Sequence, residues 1–72
     1  MIYVLARKQN EQMEFLCGAD PASVTKDFSI GRAKQFDSPS DALAFRAGIE
    51  RHWKYEFVVH EFDGALLQSL DV

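Results

Sequence analysis

Two stretches near the amino terminus carry the period of a half-buried strand. Ile2 to Arg7 is a short apolar run of strand-forming residues, and from Met13 to Cys17 the residues Met13, Phe15 and Cys17 share one parity while Glu14 takes the other. Lys8-Gln9-Asn10-Glu11 between them is polar and short enough for a hairpin, with Asn10 able to take a left-handed conformation. Gly18 ends the second strand, and Asp20-Pro21 predicts a capped helical turn running through Val24.

Phe28 to Phe36 reads as a third strand with an irregular pattern. A regular strand would place Phe28, Ile30 and Phe36 on the same face as Arg32 and Lys34, and a bulge at Gly31 partly removes that conflict.

The strongest local signal is Ser38-Pro39-Ser40-Asp41. Ser38 can cap a helix, Pro39 suits its first position, and Asp41 stands three residues after the cap in a capping-box arrangement. Ala42, Phe45, Ile49 and Trp53 then recur at spacings of 3, 4 and 4, a narrow stripe that predicts a core-facing helix surface. Arg51, His52 and Lys54 gather toward the end, where positive charge complements the helix dipole. Gly48 inside this pattern costs about 1 kcal/mol relative to alanine, which suggests that a strand approaches closely there.

Tyr55 to Phe62 is mostly aromatic and β-branched, and Asp63-Gly64 is a strong hairpin signal. Leu66 to Val72 then returns as a final strand; Ala65, Leu66, Leu67 and Leu70 also fit helical spacing, and the Asp-Gly turn decides for the strand. The predicted order is strand, strand, strand, helix, strand, strand. This is a single α+β domain over residues 1–72, a mainly antiparallel sheet of about five strands with one helix on one face. The chain holds nothing large enough to cover the other face, which carries some of Tyr3, Leu5, Leu16, Tyr55, Phe57 and Leu67 depending on register. An aromatic-rich open face marks an interface, so Tyr3, Tyr55 and Phe57 are the candidate partner-binding residues.

Composition narrows the class. The chain has 72 residues, of which 47% are hydrophobic and 26% charged, an ordinary globular balance, and its net charge is 8 − 11 = −3. Cys17 stands alone and cannot close an internal disulfide, and a domain of this size buries only about 60% of the surface its unfolded chain exposes. Association with itself or with another protein would add burial, so a homodimer is among the expectations. Arg7 and Lys8 follow the apolar amino-terminal run rather than precede it, unlike a signal peptide, and no run reaches the roughly 18 apolar residues that span a bilayer. The expected setting is cytoplasmic and reducing, without membrane contact.

Ala33-Lys34-Gln35-Phe36-Asp37-Ser38-Pro39-Ser40-Asp41-Ala42-Leu43-Ala44-Phe45 resembles a pattern found in small phage and prophage open reading frames. The resemblance covers about a fifth of the chain. It implies an accessory protein that acts by binding a host protein, and it implies no catalytic residue.

Candidate chemistry is sparse. Cys17, His52 and His60 lack the close spacing of a zinc motif, so no metal or cofactor is expected. Cys17 as a nucleophile with His60 as its base would require strands that bring them together; its alternation with Met13 and Phe15 favours a small core residue instead. Glu56 with His60 could form an acid and base, but polar decoration of a sheet explains them equally. No phosphate loop or nucleophile elbow is present, and the chain is not expected to be an enzyme.

Nucleic-acid binding is the principal alternative, with Tyr3, Tyr55 and Phe57 stacking bases beside Arg7, Lys8, Arg32 and Lys34. Charge opposes it. Residues 26–54 hold six bases and four acids (6 − 4 = +2), residues 55–72 hold four acids and no Lys or Arg (0 − 4 = −4), and the whole is acidic. The reading that remains is a non-enzymatic protein-binding module.

Overall fold

The computed structural model describes residues 1–70, and Asp71 and Val72, the end of the predicted final strand, lie outside the described residues. It is an α+β fold: a five-stranded antiparallel sheet with one α-helix. The strands are β1 (Ile2–Gln9), β2 (Gln12–Cys17), β3 (Thr25–Asp27), β4 (Val58–Phe62) and β5 (Leu67–Ser69), and the helix α1 is Pro39–Ala47. The sheet order is β3-β2-β1-β4-β5.

Local chemistry explains the turns. Asn10 and Glu11 both take positive φ, 50° and 67°, closing the β1–β2 hairpin in the mirror-image geometry whose twist suits paired strands. Asp20 caps the 3-10 turn Pro21–Ser23 by accepting from the Ala22 N–H, as its position before proline predicts. Gly18, at φ 125°, cannot be replaced cheaply, since a Cβ there would lie 2.6 Å from the Ser23 carbonyl oxygen. Between β4 and β5 the Asp63 carboxylate accepts from the Ala65 and Leu66 N–H groups, and Gly64 takes φ 101°.

The segment expected as one irregular strand, Phe28 to Phe36, is something else. The third strand comes earlier, at Thr25–Asp27; Asp27 accepts from the Ser29 N–H, a 3-10 turn follows at Ile30–Arg32, and the chain then crosses the sheet. β1 and β2 pair from Gln9 and Gln12 as far as Ala6 and Phe15, then part. Residues 34–36 fill the fork: the Lys34 N–H donates to the Leu16 carbonyl, and Tyr3 and Phe36 exchange backbone bonds of 3.0 and 2.8 Å. Ile30 and Ala33 therefore pack on one face of the sheet with Val4, Ala6 and Phe15, whereas Phe36 packs on the other with Leu5, Leu16 and Val59. The parity conflict arises because the apolar residues of one segment serve two cores.

The helix starts as predicted, with the Ser38 hydroxyl accepting from the Asp41 N–H at 3.1 Å and Pro39 at its first position. It ends sooner. Gly48 caps it instead of lying inside it, and its close neighbour is Pro21 of the first 3-10 turn rather than a strand. Ala42 and Ile49 are fully buried and Phe45 and Trp53 pack against the same core, so the stripe is real, but Trp53 reaches it from a separate 3-10 turn, His52–Glu56. That turn also takes Tyr55 and Glu56 out of the predicted strand, and β4 begins at Val58.

The helix-side core comprises Leu5, Leu16, Val24, Phe36, Ala42, Ile49, Phe57 and Val59. Two edge-on aromatic pairs tighten it, Phe36 with Phe45 at 5.2 Å and Trp53 with Phe57 at 5.3 Å. Burying a large apolar side chain of this kind contributes about 1.5–3 kcal/mol.

Candidate functional site

The three candidate residues do not share a surface. Phe57 is fully buried in the helix-side core, and Tyr3 is half-buried, packs against that core and is held by its backbone pair with Phe36. Tyr55 is 68% exposed. The expectation of an open sheet face bearing Tyr3, Leu5, Leu16 and Phe57 is corrected by register: Leu5 pairs with Val59 across β1 and β4, and both point toward the helix. The opposite face carries Val4, Ala6 and Phe15, closed by Ala33, with Ile2, Met13, Ile30 and Leu67 partly buried around them. That face is partly sealed by the chain crossing the fork.

Arg7 fixes the far side of Phe57. Its guanidinium lies 4.9 Å from the ring centroid, donates from Nε to Glu14 at 2.7 Å, and donates from Nη1 to Glu56 at 2.8 Å. Glu14 is nearly buried, and this pair neutralises it.

Around Tyr55 a different arrangement appears. The 3-10 turn His52–Glu56 directs Trp53 inward and Tyr55 outward, and cations collect on both rings. Lys54 and Arg46 lie 4.8 and 5.8 Å from the Tyr55 centroid; Lys26 and Arg51 lie 5.0 and 5.8 Å from that of Trp53. Lys34 sits over Phe36 and Phe45 at 5.9 and 5.6 Å. Arg46 also donates to the Phe57 carbonyl at 2.9 Å, which ties the end of α1 to the start of β4. Among the described residues the ion pairs are those of Arg7 and one of Arg32 with Asp27, so these five cations have rings as neighbours and no paired carboxylate. Next to them an open groove of about 560 Å³ is lined by Pro21, Ala22, Gly48, Glu50 and Arg51.

Sequence reasoning names Tyr55, which is exposed, but not the cations around it. Arg51, His52 and Lys54 read as the end of a long helix, and Lys26 is distant in sequence; the alternation of cation and ring in Arg51-His52-Trp53-Lys54-Tyr55 was the available signal.

The other chemical candidates stay apart. Cys17 is buried, its thiol is directed at the Phe15 carbonyl, and burial with the nearby Asp27 carboxylate pushes its pKa up against the opposing pull of Arg32. His60 engages the Val58 carbonyl through Nδ1 at 2.7 Å, and β1 stands between its strand and that of Cys17. Glu56 is turned toward Arg7 and lies outside β4, so it does not share a strand face with His60. No cluster of metal-ligating side chains occurs among the described residues, and no helix among them is long and apolar enough to cross a membrane. No family model, curated protein or solved structure matches the chain.

Proposed function

We propose that this chain is a non-enzymatic protein-binding module whose contact surface is the 3-10 turn His52–Glu56 and the side chains around it, with Tyr55 at the centre. The observation that carries this reading is a tyrosine 68% exposed and flanked by Arg46 and Lys54. Tyrosine, tryptophan and arginine dominate the energetics of protein interfaces because they bury large, rigid area and keep a polar end for the rim. Here an exposed tyrosine has Arg46 beside it, on a turn whose inward side is anchored by the Trp53–Phe57 stack. The surface is thus held ready, which lowers the ordering cost of binding.

The partner fits best as another protein. The chemistry at the turn supports this choice, since an exposed tyrosine between cations offers both apolar area and charged donors to a protein surface.

Selection of a displayed peptide library on the immobilised domain tests the reading. Selected peptides should bind the wild-type chain and bind Tyr55→Ala about tenfold or more weakly, with an unchanged circular dichroism spectrum. A selection that yields no binder, or binders indifferent to Tyr55→Ala, would overturn it.

A further inference from the structure

We infer that the segment bound at this surface is acidic and extended, and that its carboxylates dock on Lys26, Arg51 and Lys54 while its backbone follows the groove lined by Pro21, Gly48 and Arg51. The inference rests on the protein-binding reading above and adds the chemistry of the partner. Two adjoining features carry it, the unpaired cations and the groove that Arg51 lines.

Lys26, Arg46, Arg51 and Lys54 come from three parts of the chain, β3, the end of α1 and the 3-10 turn, and converge on two rings without a carboxylate partner among the described residues. The contrast with Arg7 is direct, since that cation is mostly buried and takes two carboxylates. Cations over rings are held in position yet keep donors free for an incoming oxyanion. Arg51 joins the cation surface to the groove, because it lies over Trp53 and also lines the groove with Pro21, Ala22, Gly48 and Glu50. Gly48 keeps the floor of that groove close: a Cβ there would meet Pro21 Cβ and Cγ at 3.1 and 3.2 Å.

A nucleic acid is the rival polyanion, and two observations count against it. Trp53 packs toward the core, so of the two rings only Tyr55 is exposed for a base to stack on. The chain is also acidic overall, at −3, whereas proteins whose nucleic-acid binding is dominated by phosphate contacts are basic. Glu50 is the one carboxylate lining the groove and opposes an acidic ligand there.

Fluorescent octaglutamate, octaserine and octathymidylate, titrated at low salt and again near physiological salt, provide the test. Octaglutamate should bind about tenfold or more tightly than octaserine and octathymidylate, and it should weaken as salt rises. Lys26→Glu with Arg51→Glu, both at exposed positions, should abolish the preference at unchanged melting temperature; Arg51→Lys should largely retain it, and Glu50→Gln should tighten octaglutamate binding about twofold. Equal affinity for octaglutamate and octaserine, or tighter binding of octathymidylate, would overturn the inference. If displayed peptides that depend on Tyr55 are selected but show no acidic enrichment, the protein-binding reading stands and the acidic partner falls. If no peptide is selected and octaglutamate does not bind, both fall.

Discussion

Arg7 shows how one side chain can hold several parts of a small domain. Its guanidinium lies over the Phe57 ring and takes Glu14 and Glu56, so one cation joins β1, β2 and the 3-10 turn ahead of β4. Arg7→Ala should destabilise the fold by about 3 kcal/mol in urea denaturation, because Glu14 would be left nearly buried without its partner. Most of that loss should be recovered when Glu14→Leu is added, since the buried charge then disappears as well. Glu56→Ala should cost little, given its exposed side chain. At Cys17, burial and Asp27 raise the thiol pKa, so labelling by a thiol reagent at neutral pH should be slow and limited by opening of the fold. Rapid labelling of the folded protein would contradict that placement. Asp63 is shifted the other way, held below the ordinary carboxylate range by the Leu66 and Ala65 N–H groups. A depressed folded pKa stabilises the β4–β5 loop at pH above the unfolded value and releases it as pH falls through the folded value. The amide resonances of Ala65 and Leu66 should therefore titrate below the usual aspartate midpoint.

The elements differ in how far the sequence exposes them. Ser38, Pro39 and Asp41 mark the start of α1 because a cap is chemistry among adjacent residues, and Ser38→Ala should lower stability by about 1 kcal/mol, measured from the urea midpoint. The hairpin turns at Asn10 and Asp63-Gly64 are legible for the same reason. The end of the helix is not, because the apolar stripe continues through Trp53 while the backbone stops at Gly48; two elements present one continuous core face. The crossing segment is the least legible of all. Ile30 and Phe36 look like one strand until the fork between β1 and β2 is known, and that fork depends on Tyr3 and Leu16, far away in sequence. A strand beginning at Tyr55 places Phe57 on an open face; with Val58 opening β4, Phe57 falls into the core and of the three candidates Tyr55 alone remains outside.

For the molecule as a whole, the number of elements is small but their use is economical. One helix and a 3-10 turn close one face, and a segment threaded between two strands partly seals the other. The surface left distinctive is then chemical in kind: cations gathered on aromatic rings at one side of an otherwise acidic chain. Tyr55 stands out in the sequence as an aromatic candidate, whereas the cations around it come from β3, α1 and the turn and are brought together only by the fold. The most direct measurement is an amide chemical-shift map of the isotope-labelled protein titrated with a peptide selected on it. Shifts concentrated at Lys26, Arg46 and residues 48–56 are expected; shifts concentrated instead at Ile2, Met13, Phe62 and Leu67 on the opposite sheet face would rule out the turn as the contact surface.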